Sequence, residues 1–360
     1  MSYERPNIQR MTGYTPGEQP RARDVVKLNT NENPYPPAAA VMDALRALDG
    51  EALRRYPSPT AATFRERAAA LHGLTPEHVV ATNGGDELLR LAITTFVEPG
   101  RPIGMAEPSY SLYPVLAAVH GSPVERVALD EHWQPPADFA ERMNRAGVNL
   151  TFLVNPHAPS GTLLPPARID AIAGALQGVL LVDEAYVDFT EPSEGHDVVS
   201  LVHDHDNLLI LRTLSKGYSL AGLRFGYGLG DPGLISPIAG KTRDSYSVDA
   251  VAERLAAVAL EQRAEAAESW NAVRHERERL RTALAERGLT APVSATNFLL
   301  VHVPEGYGGG AAALHGALRE RGIFVRHFDQ PRLRECLRIS IGTPEQHDAL
   351  LAAMDEIASA

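Results

Sequence analysis

Apolar residues fall in short, uninterrupted runs along the chain, and stretches with helical spacing lie between them. The runs predict buried strands at 79–82, 150–154, 179–182 and 208–211, with a further candidate at 224–229. A helix is predicted after the first run, through Phe96. Because strands without polar alternation are buried on both faces, the pattern predicts an α/β fold. Its mostly parallel sheet would be covered by helices on both faces.

The last third of the chain predicts a second, smaller domain. Residues 251–288 have a helical pattern, and we expect the charged run Glu276, Arg277, Glu278, Arg279 to form a solvent-exposed helix face. Strand, helix, strand, strand and helix patterns follow at 298–303, 311–321, 323–326, 337–341 and 344–358. We predict an extended N-terminal arm within 1–45 that joins the small domain, a large domain at 46–245, and a small α+β domain at 246–360.

Composition and charge narrow the class of partner. The 360 residues have a formal net charge of −11. An acidic surface disfavours nucleic acid or an anionic membrane as partner, but it leaves a small anionic substrate open. Cys336 is the only cysteine, so no disulfide can form within the chain. Residues 1–9 lack the apolar core of a signal peptide, and no run approaches the ~18 apolar residues of a membrane span. We therefore expect a cytoplasmic protein.

We expect no metal site. The tract His203, Asp204, His205, Asp206 lacks the i, i+4 histidine spacing of a zinc site and has no second ligand cluster. We predict an acidic surface loop there.

A glycine pair stands between the first predicted strand and its helix. In Asn83-Gly84-Gly85-Asp86 the glycines let backbone N–H groups approach an anion, and a helix N-terminus favours negative charge. The alternative is a structural turn in which Asp86 caps the helix.

Asp183 and Lys216 each stand at or just beyond the end of a predicted strand, where open α/β sheets bind ligands. A carboxylate at the end of a buried strand needs a cationic partner, and a protonated pyridine nitrogen would serve. A lysine that forms a Schiff base must lose its proton, although the free side chain has a pKa of about 10.4. The two residues are 33 positions apart, one βαβ crossover, so they would lie on neighbouring strand ends. Arg224 follows and offers a guanidinium for a phosphate.

Each of these residues, taken singly, also fits an ordinary cap, a salt bridge or a surface loop. Their joint occurrence is more specific. The runs VDEAYVDF at 182–189 and ILRTLSKGYSLAGLRFGYGL at 210–229 resemble the fold-type I, pyridoxal-phosphate-dependent aminotransferases, and histidinol-phosphate aminotransferases above all. The segments KLNTNENPYPP at 27–37, RYPSPTAATFRERAA at 55–69, EPSYSLYP at 107–114, TNFLLV at 296–301 and CLRISIGT at 336–343 fall in that family's order. The resemblance therefore extends over nearly the whole chain.

The resemblance implies a site for pyridoxal 5'-phosphate. Lys216 would hold the cofactor covalently and then move a proton, and Asp183 would pair with the pyridinium nitrogen. Tyr186 would hydrogen-bond the 3′ oxygen of the ring, and Tyr110 would stack on the ring face. The phosphate end would lie among Gly84, Gly85, Asp86, Thr213, Ser215 and Arg224. Tyr56 would reach the phosphate of the neighbouring subunit, which implies a homodimer with shared sites.

The resemblance also implies a substrate pocket. Arg338 would clamp the carboxylate of an amino acid or keto acid, and Tyr14, Asn33 and Arg326 would line the pocket. Tyr14 and Arg326 are candidates for a substrate phosphate. The implied activity is reversible amino transfer between L-histidinol phosphate and 2-oxoglutarate, in histidine biosynthesis. An aromatic aminotransferase, a threonine-phosphate decarboxylase and a regulatory module that binds the cofactor with little turnover remain as alternatives.

One position departs from the family's pattern. The family commonly has an Asn-Pro-Thr-Gly turn whose asparagine contacts the 3′ oxygen of the ring, whereas this chain has NPHAPSG at 155–161. Ala158 cannot donate a hydrogen bond, so Tyr186 would stabilise that oxygen alone, or with help from His157 or a water. We therefore expect the bound cofactor to titrate with a raised pKa.

Overall fold

The computed structural model describes residues 2–22 and 24–359. The α-helices are α1 Pro6–Arg10, α2 Ala39–Arg46, α3 Gly50–Leu53, α4 Ala62–His72, α5 Gly84–Phe96, α6 Leu112–His120, α7 Phe139–Arg145, α8 Pro166–Ala175, α9 Pro232–Pro237, α10 Ala250–Glu261, α11 Arg263–Glu286, α12 Gly310–Glu320 and α13 Pro344–Ala358. The strands are β1 Val26–Lys27, β2 Val79–Thr82, β3 Ile103–Glu107, β4 Val124–Ala128, β5 Leu150–Val154, β6 Val179–Asp183, β7 Leu208–Thr213, β8 Gly226–Gly230, β9 Phe298–His302, β10 Ile323–Phe324, β11 Arg326–His327 and β12 Cys336–Ser340.

A seven-stranded sheet forms the centre of the molecule, in the order β2-β8-β7-β6-β5-β3-β4. The strands from β7 to β4 pair in parallel, while β8 pairs antiparallel with both β2 and β7. Alternate residues of the inner strands enter two separate apolar cores. Leu181 and Leu209 pack with α5 and α6, whereas Val182 and Ile210 pack with α7 and α8. Helices therefore cover both faces, which explains why these strands are apolar throughout.

The strand ends coincide at the carboxyl edge of this sheet. Asp183, the last residue of β6, pairs with Val154 at the end of β5 and with Leu211 near the end of β7. Lys216 follows β7 by three residues. The polar residues that the sequence places after separate strands are therefore brought to a single edge.

The C-terminal part of the chain forms two small sheets. β9, β12 and β11 pair antiparallel, and β1 of the N-terminal arm pairs in parallel with β10. This pairing attaches the arm to the C-terminal part. Helix α10 packs against α2 and α4, although it lies beyond residue 245. The domain division at 45 and 245 stays a prediction.

The predicted strands at 79–82 and 150–154 are confirmed at those bounds, and β6 and β7 extend slightly beyond the predicted runs. The helical pattern at 251–288 is confirmed as two helices, α10 and α11. The pattern missed β3 and β4, because Gly104 interrupts the apolar run of β3 and because β4 is a half-exposed edge strand. The arm also contains α1, so it is not extended throughout.

The prediction of a solvated charged face on α11 was wrong for two of its four residues. Glu276 and Arg277 are buried. Arg277 donates to the backbone oxygens of Phe189 and Thr296 at 3.1 and 2.9 Å, and Glu276 forms a 2.6 Å hydrogen bond with His347. Burial of these charges is tolerated because each has close polar partners. Those partners come from distant segments, which local charge density does not reveal.

Within residues 2–22 and 24–359, no helix is both long and apolar enough to cross a bilayer. The same residues contain no cluster of histidine, cysteine and carboxylate side chains that could hold a metal ion. In the tract at 203–206, His205 pairs with Asp170 at 2.6 Å.

Candidate active site

A cavity of about 490 Å³ lies between the carboxyl edge of the central sheet, the strands β11 and β12, and the N-terminal arm. The predicted site residues that line it are Tyr14, Gly85, Asp86, Tyr110, Asp183, Tyr186, Thr213, Ser215, Lys216, Arg224, Arg326 and Arg338. A cavity of this size is ordinary for a small-molecule site. The fold therefore gathers most of the predicted set, from three separate parts of the chain, around one space.

The N-terminus of α5 forms one end of the cavity. Gly84 begins this helix at a φ of 76°, a left-handed conformation that glycine adopts without strain. Gly226 passes so close that a Cβ on it would lie 2.6 Å from the backbone of Gly84 and Gly85. Two strands and a helix therefore meet backbone to backbone, and the first N–H groups of the helix are available to an anion.

The side chains of Arg224 and Ser215 add hydrogen-bond donors at this end of the cavity. The guanidinium of Arg224 lies 3.5 Å from the Ser215 hydroxyl and 3.5 Å from the Asp86 carboxylate. Thr213 donates to the backbone oxygen of Phe225 at 3.0 Å and so supports the turn that carries Ser215. The Arg224 contacts are too long to be strong hydrogen bonds. This end of the cavity therefore has donors available for a phosphate group.

Asp183 lies at the centre of the cavity floor. The Tyr113 hydroxyl donates to its carboxylate at 2.8 Å, and the Ala185 N–H donates at 3.1 Å. Among the described residues, no lysine, arginine or histidine nitrogen lies within 4.0 Å of this carboxylate. Burial raises the pKa of the Asp183 carboxyl to about 6, and the hydrogen bond from Tyr113 opposes this shift. A buried carboxylate with donors but no cation is suited to a cationic ligand.

Lys216 faces the same space. Its amine donates to the backbone oxygen of Thr30 at 3.2 Å. Burial lowers the pKa of the Lys216 amine to about 8, and the positive charge of Arg338 acts in the same direction. A substantial neutral fraction therefore exists near neutral pH, and a neutral amine is the form that attacks a carbonyl.

Four tyrosines lie around Asp183 and Lys216. The Tyr110 hydroxyl donates to Asp86 at 3.3 Å, and its ring meets those of Tyr113 and Tyr14 edge-on, with centroids 5.5 and 6.0 Å apart. Tyr186 packs edge-on against Phe298, and its hydroxyl oxygen accepts a hydrogen bond from Asn31. Aromatic contacts of this kind restrict the orientation of each ring.

Arg326 and Arg338 are direct cross-strand partners on β11 and β12. Each guanidinium lies over the ring of Phe328, at 5.3 and 5.4 Å from its centroid. Arg338 donates to the backbone oxygen of Asn29 at 3.2 Å. No Asp or Glu of the described residues forms a salt bridge with either arginine. Like charges directly opposite each other destabilise a sheet, so this pair is suited to an anion that binds both.

The site residues fit pyridoxal phosphate. The Asp183 carboxylate lacks the cation that a pyridinium nitrogen would provide, and the Lys216 side chain is half-buried with a lowered amine pKa. A side chain at Gly84 or Gly85 would clash with Arg224 or Leu211, so the backbone at the start of α5 stays open to a phosphate. Because these features lie around one cavity, the carboxylate, the amine and the anion site can act on a single ligand.

Asn33 is not among the residues that line the cavity, and its role in substrate binding stays a prediction. Its amide donates to the backbone oxygen of Gly217 at 3.3 Å and to the Ser269 hydroxyl at 3.1 Å, and its oxygen accepts from the Tyr35 N–H. With these partners the side chain fixes the turn after Lys216. Tyr56 also lies outside the cavity. Its side chain is exposed, with its ring stacked on Tyr246 at 4.5 Å.

Ala158 and His157 occupy the turn that departs from the family's pattern. Ala158 lines the cavity and packs with Val154, Phe298 and Tyr186, so it presents only a methyl group. The ring nitrogens of His157 contact the Ser160 hydroxyl at 2.7 Å and the backbone oxygen of Pro108 at 3.0 Å. Help from His157 at the 3′ oxygen is therefore absent, because both of its nitrogens are already engaged.

Sequence reasoning missed Tyr113, Asn31 and Phe328. Tyr113 lies within the quoted segment at 107–114, and its spacing of one helical turn from Tyr110 was a usable signal. Asn31 and Phe328 gave no local signal, because their partners in the site are more than a hundred residues away or across a strand pair.

Comparison with known proteins finds relatives along nearly the whole chain. The family model described as "Aminotransferase class I and II" matches residues 23–354. "Histidinol-phosphate aminotransferase 1" of Trichormus variabilis is 41% identical over 357 residues, which cover 99% of each chain. Histidinol-phosphate aminotransferase of Pseudomonas putida is 40% identical over 352 residues, covering 97% of this chain and 98% of the relative.

A solved structure agrees over the same length. Histidinol-phosphate aminotransferase from Sinorhizobium meliloti, crystallised with pyridoxal-5'-phosphate, has a TM-score of 0.90 and 27% sequence identity. The likeness covers 100% of this chain and 98% of that one. The fold and the order of the elements are therefore shared from end to end.

Proposed function

The chain belongs to the class I and II aminotransferases, and on that premise we propose that it transfers an amino group reversibly between L-histidinol phosphate and 2-oxoglutarate, with pyridoxal phosphate held by Lys216. The observation that carries the substrate assignment is the cross-strand pair of Arg326 and Arg338. Both substrates carry anionic groups, a phosphate in histidinol phosphate and two carboxylates in 2-oxoglutarate, and both guanidinium groups lack an acidic partner among the described residues. Relatives about 40% identical over nearly their whole length bear the name of this activity.

We assign substrate binding to the end of the cavity that carries Arg326 and Arg338. Arg338, oriented by Phe298, Phe328 and the backbone oxygen of Asn29, binds the carboxylate of the keto acid. Arg326 and Tyr14 lie beside it and bind the phosphate of histidinol phosphate. Because one guanidinium pair serves both anions, the two substrates occupy the same space in alternate half-reactions.

The proton chemistry is assigned to the cavity floor. When bound, pyridoxal phosphate withdraws electrons from the carbon that carries the substrate amine, so that a proton on that carbon becomes acidic. Lys216 Nζ takes and returns this proton, and its pKa of about 8 suits a base that works near neutral pH. Asp183 would keep the ring nitrogen of the bound cofactor protonated, Tyr110 would pack against the ring, and Tyr186 would donate to its 3′ oxygen.

We also propose a homodimer in the cytoplasm. Tyr56 is 82% exposed and is absent from the cavity of its own chain, as a residue that completes a neighbour's phosphate site would be. The single cysteine suits a reducing compartment. Light scattering should give twice the chain mass. Tyr56→Phe should weaken cofactor binding about tenfold, because a hydrogen bond to a charged phosphate is lost.

The attachment site is tested by borohydride reduction of the holoenzyme followed by peptide mass spectrometry. The cofactor should be fixed on Lys216, and Lys216→Ala should give no reduced adduct. An adduct on another active-site lysine in that variant would refute the assignment. Lys27→Ala, which changes a lysine paired with Glu32 near the arm, is the matched control and should label normally.

The substrate is tested by steady-state kinetics with histidinol phosphate, histidinol, phenylalanine and O-phosphothreonine. Loss of the phosphate should lower kcat/KM about 100-fold, since charge-assisted hydrogen bonds to guanidinium groups are lost. Arg326→Gln should reduce that preference, while Arg321→Gln, on the exposed end of α12, should not. A preference for phenylalanine that is indifferent to the phosphate would favour an aromatic aminotransferase, and decarboxylation of O-phosphothreonine would favour the decarboxylase.

A further inference from the structure

Asn31 contacts Tyr186 through a side chain to which no role is otherwise assigned. The Asn31 amide donates to the Tyr186 hydroxyl oxygen at 3.0 Å. Asn31 is 1% exposed, and it lies in the cavity wall beside Lys216. It reaches this position from the N-terminal arm, at a φ of 54°. Asparagine tolerates this left-handed conformation better than other non-glycine residues.

The direction of the Asn31 amide is fixed by Ser340. The Asn31 N–H donates to the Ser340 hydroxyl oxygen at 2.8 Å, and that hydroxyl donates to the Asn31 side-chain oxygen at 3.0 Å. Asn297 donates to the backbone oxygen of Asn31 at 3.0 Å. Because the side-chain oxygen of Asn31 is occupied by Ser340, its NH₂ group must face Tyr186.

This arrangement decides where the Tyr186 proton points. A phenol has one proton and can also accept hydrogen bonds. Since Asn31 donates to the Tyr186 oxygen, the phenol proton is left for another acceptor, and no described residue accepts it. Tyr186 lines the cavity. The free proton is therefore available to a ligand there.

We propose that Asn31 is a positioning residue, which makes the Tyr186 hydroxyl a stronger and correctly directed donor to the 3′ oxygen of the cofactor ring. It thereby offsets part of the donor that Ala158 lacks. The inference rests on the proposed function, because it takes pyridoxal phosphate as the ligand. The physical basis is that a hydroxyl which accepts one hydrogen bond donates a stronger one.

The charged and titratable groups around the Tyr186 hydroxyl come from several elements. They are Arg338 from β12, Asp183 from β6, Tyr14 from the arm and Lys216 from the loop after β7. Asn31 is uncharged, so its removal leaves these groups in place. A changed titration of the cofactor after that removal is therefore attributable to the lost hydrogen bond.

The experiment is a spectrophotometric pH titration of the holoenzyme and of Asn31→Gly, a substitution that suits the φ of 54°. A weaker donor stabilises the ring oxygen's negative charge less, so the cofactor keeps its proton to higher pH. We expect its pKa to rise by about 0.1–0.7 unit, as a tenth to a third of one charge-assisted hydrogen bond would give.

Asn31→Gly in a Tyr186→Phe background distinguishes an effect through the Tyr186 hydroxyl from a general loss of order in the site. Without the hydroxyl there is nothing for Asn31 to direct, so the titration should not move. A shift of equal size in both backgrounds, or no shift in the presence of Tyr186, would overturn the proposal. Ser340→Ala is the second variant if Asn31→Gly folds poorly. It frees the amide and should give a smaller rise, again only with Tyr186.

Failure of this inference is distinguishable from failure of the proposed function. If borohydride fixes the cofactor on Lys216 while Asn31→Gly leaves the titration unchanged, only the role of Asn31 is refuted. If no cofactor is fixed on Lys216, the proposed function itself is refuted.

Discussion

Asp183 and Glu184 are neighbours at the end of β6, and both carboxylates are buried, yet their surroundings are opposite. Glu184 accepts from Arg212 at 2.6 Å and contacts His196 at 3.1 Å. Asp183, which faces the cavity, has only the neutral donors Tyr113 and the Ala185 N–H. Consecutive residues at a strand end point to opposite sides of the sheet. On the side of Glu184 the chain itself provides cationic partners for the carboxylate, whereas on the cavity side it provides none for Asp183.

The pKa values follow this division. Although burial acts to raise it, the charges of Arg212 and His196 hold the pKa of the Glu184 carboxyl below its usual value. Burial raises the pKa of the Asp183 carboxyl to about 6. A buried carboxylate without a cation costs stability. The comparison therefore separates the Glu184 carboxylate, whose charge is paired within the fold, from the Asp183 carboxylate, whose unpaired charge is available to a ligand.

The largest expected effect concerns turnover. Asp183→Asn keeps the shape of the side chain but removes the charge that holds a proton on the ring nitrogen, so kcat should fall about 1000-fold, as for loss of one preorganised electrostatic group. Steady-state and single-turnover kinetics measure this. Glu184→Gln is the control and should retain most of its turnover. Equal losses in both variants would contradict the division between functional and structural carboxylates.

The second effect is on stability. Here the substitution of Glu184 is expected to cost more than that of Asp183, the opposite of the effect on turnover. Glu184→Gln leaves the Arg212 side chain, which is only 15% exposed, without its hydrogen-bonded counter-charge. This should lower the free energy of unfolding by about 3 kcal/mol. Urea denaturation followed by circular dichroism measures this free energy. A loss below the experimental error would mean that the pair with Arg212 contributes nothing, and the contrast with Asp183 would disappear.

The third effect is the pH dependence of the cofactor-free protein. The folded state binds a proton at Asp183 more tightly than the unfolded state, because the pKa is about 6 when folded and 3.8 when unperturbed. Its stability should therefore fall as pH rises from about 4 to about 6 and stay lower above that range. Asp183→Asn should be more stable than the original protein by about 3 kcal/mol at pH ~8, and about equally stable near pH ~3. Thermal unfolding at a series of pH values tests this.

The smallest expected effect is at the 3′ oxygen of the ring, where neutral donors act. Ala158→Asn supplies the donor that the turn lacks and should lower the pKa of the bound cofactor by about 0.5–1 unit, since a hydrogen bond to the charged oxygen is gained. Absorbance titration of the holoenzyme measures the pKa. An unchanged value would show that the methyl group of Ala158 has no influence on the cofactor.

The sequence was most informative where function follows a regular strand pattern. Asp183 and Lys216 were identified because an apolar run ends and a charged residue follows, and the edge of a parallel sheet collects such residues. Asn33 was selected because its neighbourhood in the sequence resembles a substrate segment, whereas the partners of its side chain are Gly217 and Ser269. Asn31 of the same segment lines the cavity through contacts that local pattern does not encode.

The same limit explains the buried charges of α11. Glu276 and Arg277 have the spacing of a solvated face, but His347 and the loops at 189 and 296 fold over them. A hydrophobic pattern identifies what must be buried. It does not identify polar residues such as Glu276 and Arg277, which are buried because distant segments supply their hydrogen-bond partners.

The hydrogen bonds between Asn31 and Ser340 join positions 309 residues apart. The wall of the cavity that carries Arg338 is made only when nearly the last strand of the polypeptide has been synthesised and docked onto the arm. A partly folded chain can form the start of α5 and the loop of Lys216, but it lacks this wall. Binding of a ligand that needs Arg338 therefore requires that β12 has docked onto the arm.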